Sequence, residues 1–193
     1  MKIAQRALRA QPFHAMSIGA RARELESRGI RIAKLSLGEP SFGAPPGVHE
    51  AMRATMDGRA LPYTPAAGLP ALRRAVAGLY RDRHGVDVDP RRVLITAGAS
   101  AGLLLATALT TEAGDDVVMA DPCYPCNREL VDTFGGRVVL APTTPAARYQ
   151  LDLATALAAW TERTSAVQVA TPSNPTGKRL RSEERRVGKE CRS

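Results

Sequence analysis

Three short stretches of this chain carry side chains that could meet a ligand, each next to a run of apolar residues. The first is Thr96-Ala97-Gly98-Ala99-Ser100-Ala101-Gly102. Small residues at a strand-to-helix junction let backbone N–H groups approach an anion, with the positive end of a helix behind them. The Ser100 hydroxyl adds a donor. A helix packed closely on a sheet asks for the same small residues, so alone this stretch is as much a packing feature as an anion nest. Its glycine spacing is not that of a dinucleotide-binding turn. The second stretch is Asp121-Pro122-Cys123-Tyr124-Pro125. A rigid Pro-x-x-Pro turn at the carboxyl end of a strand can hold the Tyr124 ring over a crevice, or the ring can simply pack on the next helix. The third is Pro172-Ser173-Asn174-Pro175-Thr176-Gly177, a loop that could present the Asn174 amide to an aromatic oxygen. On its own it reads as a turn.

The second stretch also contains Cys123-Tyr124-Pro125-Cys126, a C-x-x-C. A helix N-terminus favours a reactive thiol, which makes thiol–disulfide chemistry one alternative. The surroundings lack a thioredoxin-like arrangement, and one C-x-x-C supplies too few zinc ligands, with His14, His49 and His84 far away in sequence. Ordinary reduced cysteines fit a cytoplasmic protein, and no metal site is expected.

The elements that must position these residues follow from periodicity and punctuation. Ile18, Ala22 and Leu25 space a helix over about 16–29, stopped by Gly29. A strand is expected over 30–37 and a helix from Pro45-Pro46 to Asp57-Gly58, prolines suiting a first turn. Another helix spans 69–84 before Gly85. Beyond this the pattern is regular. The apolar run 93–96 leads into a helix from Ala101, and strands at 116–120, 137–141 and 166–170 alternate with helices at 124–134 and 151–160. Continuous apolar strands alternating with helices imply an α/β fold, a mostly parallel sheet with helices on both faces.

Composition agrees with a globular domain: 44% of the 193 residues are hydrophobic and 24% charged, enough for a real core. No apolar run is long enough for a bilayer, and the start, Met1 to Arg9, is too interrupted by charge for a secretory signal. The net charge of +8 invites a nucleic-acid reading, but basic residues alternate with acids, as in Arg81-Asp82-Arg83, and only 4% of residues are aromatic. Stacking platforms are therefore scarce, and neither nucleic acid nor membrane is expected as a partner. Residues 181–193 have no apolar periodicity and a block of charge. They resemble the translation of a sequencing adapter more than a protein element, and a non-native tail is expected there.

If the three stretches share one sheet edge, they bring together an anion nest, a ring face and an amide donor. That combination suits a phosphorylated, planar, hydroxyl-bearing ligand, which describes pyridoxal 5'-phosphate (PLP). In their order and intervals, together with Leu35-Ser36-Leu37-Gly38-Glu39-Pro40 and Tyr63-Thr64-Pro65-Ala66-Ala67-Gly68-Leu69, they make the chain resemble a class I/II (fold-type I) aminotransferase from Pro12 to Leu180. The resemblance implies a PLP-dependent enzyme acting on an amino acid and a 2-oxo acid, and a homodimer when full length. Backbone N–H groups of Ala99 and Ser100, with the Ser100 hydroxyl, would hold the phosphate. Tyr124 would stack on the pyridine ring and Asn174 would hydrogen-bond its phenolic oxygen. Tyr63 would reach the phosphate of the neighbouring subunit's cofactor, and Gly38 would lie near the substrate carboxylate. Cis peptide bonds are expected before Pro122 and Pro175. The implied division is an N-terminal arm and the start of a small domain over 1–43, part of the PLP-binding large domain over 44–180, and the tail.

The sequence departs from that family in one respect. The acid that meets the pyridine nitrogen, the lysine that carries the cofactor and the arginine that binds the substrate carboxylate follow the Asn-Pro-Thr-Gly loop in such enzymes. None is recognisable here: Lys34, Lys178 and Lys189 lack the small-residue context of a buried nucleophilic amine. A catalytic residue is therefore not assigned, and the expectation is an N-terminal half, inactive as written. Another fold-type I activity, a decarboxylase or carbon–sulfur lyase, or a non-catalytic PLP-binding module remains an alternative.

Overall fold

The computed structural model describes residues 2–180, so the expected tail lies outside the described residues. Two compact units are present: one comprises the segment up to His14, with the short helix α1 (Gln5–Arg9), and the chain from Ala99 onward, the other runs from Ala15 to Gly98.

The first unit is built on three strands, β1 (Asp116–Asp121), β2 (Arg137–Pro142) and β3 (Thr164–Gln168), in the order β2-β1-β3. Both pairings are parallel, with Asp116 opposite Arg137 and Val117 opposite Ala166. β1 is therefore central and reads as a continuous apolar run because both its faces are covered. On one face Val117 and Met119 meet Val131 of α6 (Pro125–Thr133), with Val138 and Ala166 beside them. On the other, Val118 and Ala141 meet Leu151, with Ala156 and Ala159 at α7 (Leu153–Ala158) alongside. This is the parallel α/β sheet with helices on both faces that the sequence implies.

Local chemistry sets the boundaries. Pro125 occupies the first turn of α6, and the helix ends at Gly135 (φ 79°), with the Gly136 N–H donating to the Val131 carbonyl at 3.1 Å. A Cβ on Gly136 would lie 2.6 Å from Thr111 Cγ2 and 2.9 Å from Val131 Cγ1, so the chain can enter β2 only as glycine at that point. The Asp152 carboxylate caps α7 by accepting from the Thr155 N–H at 2.7 Å. At the amino end of β1, Asp116 is fully buried and receives two 2.7 Å hydrogen bonds from Arg137 and one of 2.5 Å from the Thr161 hydroxyl.

The second unit carries α3 (Pro46–Thr55) and α4 (Pro70–His84), with most of α2 (His14–Ser27). Prolines open α3, as expected from Pro45-Pro46, and also α4, while Gly85 closes α4 in the left-handed conformation (φ 63°), again as expected. Arg73 of α4 donates to the carbonyls of Pro90 and Val93 at 2.9 and 2.8 Å, pinning the 90–93 segment to the helix.

Two expected strands are not formed. Residues 30–37 and 93–96 are extended or bent but join no ladder among the described residues. An apolar run becomes a strand only where a neighbour accepts its backbone bonds, and within 93–96 the Ile95 N–H donates to the Ala67 carbonyl in a loop rather than to a strand. β3 also starts and stops two residues earlier than expected.

Candidate cofactor site

All three strands run the same way, so the loops that follow them leave from one edge of the sheet. In open α/β sheets that edge is where ligands bind. The β1 loop carries Tyr124, the β3 loop carries Asn174, and both line one cavity together with Asn127, Tyr149, Gln168 and Ser173. The enclosed volume is about 40 Å³, room for a few waters at most. Lys178, Arg179 and Leu180 form part of its wall.

Each loop is held by its own bonds. In the β1 turn, Arg128 of α6 donates to Cys123 Sγ at 3.3 Å and to Asp121 Oδ1 at 3.2 Å, bracing the turn from the helix side. The Asp121 carbonyl accepts from the Thr143 hydroxyl at 2.7 Å, tying the ends of β1 and β2. In the β3 loop the Ser173 N–H donates to the Lys178 carbonyl and the Gly177 N–H to the Ser173 carbonyl, both at 2.7 Å. The expected cis bonds before Pro122 and Pro175 are present, and a third, unexpected one lies between Thr171 and Pro172.

Tyr124 is half-buried, and the Cys126 side chain hydrogen-bonding its phenol, with partial burial, pushes that phenol above its ordinary value. Cys123 and Cys126 are free thiols. No group of three or more His, Cys, Asp or Glu side chains gathers among the described residues, and no described helix is long and apolar enough to cross a membrane.

The other expected residues lie elsewhere. Ala99 and Ser100 are exposed on the first turn of α5 (Gly98–Thr110) and do not line the cavity. Their stretch follows the unpaired 93–96 run, so two of the three motifs, not all three, succeed strands of the sheet. Gly98 has φ 78° and open space where a Cβ would stand, and no acidic residue lies in the helix's first turn. Gly38 and Tyr63 belong to the second unit, where both are exposed, Tyr63 completely (105%).

Sequence reasoning missed the β2 loop. Arg148 and Tyr149 both adopt positive φ (52° and 56°), uncommon for residues with side chains, and this places Tyr149 in the cavity wall. No turn-forming glycine or asparagine marks the bend, so only the lone aromatic in a polar loop could have signalled it.

A parallel α/β sheet with a tyrosine turn and an Asn-Pro loop at one edge has the arrangement in which open α/β sheets hold ligands. The chain belongs to the aminotransferase class I and II family, whose model matches residues 30–186. It is 42% identical over 173 residues to a valine–pyruvate aminotransferase of Mycobacterium tuberculosis, covering 90% of this chain and 44% of that protein. A crystal structure of an aminotransferase from Mycobacterium tuberculosis superposes with a TM-score of 0.88 at 40% identity, over 95% of this chain and 47% of the other. An aspartate aminotransferase of Thermus thermophilus, solved with maleate, superposes with a TM-score of 0.89 at 32% identity, over 95% and 48%. The chain thus spans about half the length of the relatives it matches.

Proposed function

We propose that this chain forms the cofactor cradle of a PLP-dependent aminotransferase, an enzyme that moves an amino group between an amino acid and a 2-oxo acid. The observation that carries the reading is the meeting of Tyr124 and Asn174 at one cavity, from loops that follow the adjacent strands β1 and β3. Tyr124 offers a ring face to a planar ligand, and Asn174 an amide N–H to its phenolic oxygen. The N–H groups of Ala99 and Ser100, left without intrahelical partners at the start of α5, and the Ser100 hydroxyl hold the phosphate. When bound, PLP supplies an electron sink for charge developing at the substrate α-carbon.

The donor set fits this ligand, with the Tyr124 ring and the Asn174 amide lining the same cavity. Fully exposed Tyr63 supports a homodimer in which it reaches the partner's phosphate, and Gly38 lies near the substrate carboxylate. The reading carries with it a cytoplasmic role in amino-acid metabolism, and a division into an arm with the start of a small domain over 1–43 and part of the large domain over 44–180.

The test is equilibrium dialysis of the purified chain against 4'-deoxypyridoxine 5'-phosphate, which has the phosphate, ring and phenolic oxygen of PLP but lacks the aldehyde that attaches to any exposed lysine. Saturable binding is expected. Tyr124→Ala should weaken it roughly five- to a hundredfold, the range for loss of an aromatic stacking platform. Asn174→Ala should weaken it roughly two- to tenfold, as for one hydrogen bond. Equal binding by both variants and the wild type would sink the assignment.

A further inference from the structure

Tyr124 is the N-cap residue of α6, with extended backbone (φ −67°, ψ 122°), and its side chain makes no capping bond. The turn thus fixes where the ring starts but leaves its plane to be set by neighbours. One such neighbour is Phe13, from the segment that immediately precedes α2 and belongs to the same compact unit. The two ring centroids are 5.8 Å apart and the planes are inclined at 75°, an edge-to-face pair. The other ring pair among the described residues, Tyr80 with His84, joins neighbours on one helix. Phe13 with Tyr124 instead joins segments far apart in sequence, at a site-facing ring.

We propose that Phe13 is a positioning residue for Tyr124. It holds the tyrosine ring at the inclination in which a planar ligand can stack on it. An edge-to-face contact occupies at most one face of the tyrosine, so Phe13 leaves the other clear. A ring already held in its binding orientation loses less freedom when the ligand arrives, and the ligand binds more tightly for it. This role rests on the reading of Tyr124 as the ring-stacking residue.

The experiment is dialysis of the full chain against 4'-deoxypyridoxine 5'-phosphate, with induced circular dichroism of the bound pyridine and urea midpoints recorded in parallel. Phe13→Ala is expected to weaken binding roughly two- to tenfold, the range for one aromatic pair, and to lower the induced signal. Phe13→Leu, which keeps apolar bulk without a ring, should behave like Phe13→Ala. Phe13→Tyr should restore both readouts. In a Tyr124→Ala background, Phe13→Ala should add nothing. Wild-type-like binding by Phe13→Ala and Phe13→Leu would overturn the role while leaving the cofactor reading intact. So would an undiminished Phe13 effect in the Tyr124→Ala background, since Phe13 would then act through general stability. Absence of saturable binding by the wild type would overturn the cofactor reading, and this role with it.

Discussion

At the scale of single residues, the most constrained charge lies at the end of the sheet away from the Tyr124 and Asn174 loops. Asp116 is fully buried, and its carboxylate is held by Arg137 and Thr161, with Arg163 at 3.9 Å. The Arg137 hydrogen bonds, then the Thr161 hydroxyl, hold its carboxyl pKa well below the ordinary carboxylate range. A carboxyl depressed by folding adds stability that is fully present above its unfolded value, near 3.8, and is lost as pH falls through the folded value. Asp116→Asn should therefore lower the urea midpoint at neutral pH and flatten the loss of stability on acidification below about that value. A variant with the wild-type acid slope would show that Asp116 does not set it. Tyr124 moves the opposite way: its phenol is pushed up, so it stays a neutral, uncharged ring across the working range.

At the scale of elements, Gly136 is the most crowded glycine of the first unit. Gly136→Ala forces a methyl into Thr111 and Val131 and should destabilise the first unit by about 1–3 kcal/mol, as overpacking does, read from chemical denaturation. An unchanged midpoint would mean that α5 and α6 separate at no cost. The second unit has a comparable place at Gly68, where φ is 99° and a Cβ would lie 2.3 Å from Ile95 Cγ1.

Elements with short-range causes were legible in the sequence. The helices declared themselves through Pro45-Pro46, Gly85 and the Gly135-Gly136 pair, and β1 through the run Val117-Val118-Met119. The 30–37 and 93–96 strands were misread because an apolar run states only that a segment wants cover, not which neighbour supplies the ladder. Tyr124 and Asn174 could be found because proline-bounded turns fix a side chain at a strand's end. Tyr149 could not, because its left-handed backbone is imposed by loop bonds such as that from its N–H to the Thr144 carbonyl at 2.8 Å.

At the scale of the whole molecule, the apolar surface stands out. Helix α5 is hydrophobic nearly all round, yet Leu105 and Leu109 are 50% and 86% exposed. β2 and β3 each have one side without a partner strand among the described residues. Exposed apolar patches and open edges both favour self-association. Leu109→Lys should therefore reduce concentration-dependent light scattering by the purified chain without shifting its urea midpoint. Scattering identical to the wild type would absolve α5.

The first unit is discontinuous in sequence, and Arg9 reaches Asp132 across 123 positions at 3.2 Å. A chain leaving the ribosome thus releases Phe13 long before the tyrosine it meets has been synthesised. The leading segment cannot make its bonds to this part of the first unit until α6 has been synthesised. A nascent chain halted before Tyr124 would therefore hold Phe13 without the ring it meets in the folded protein.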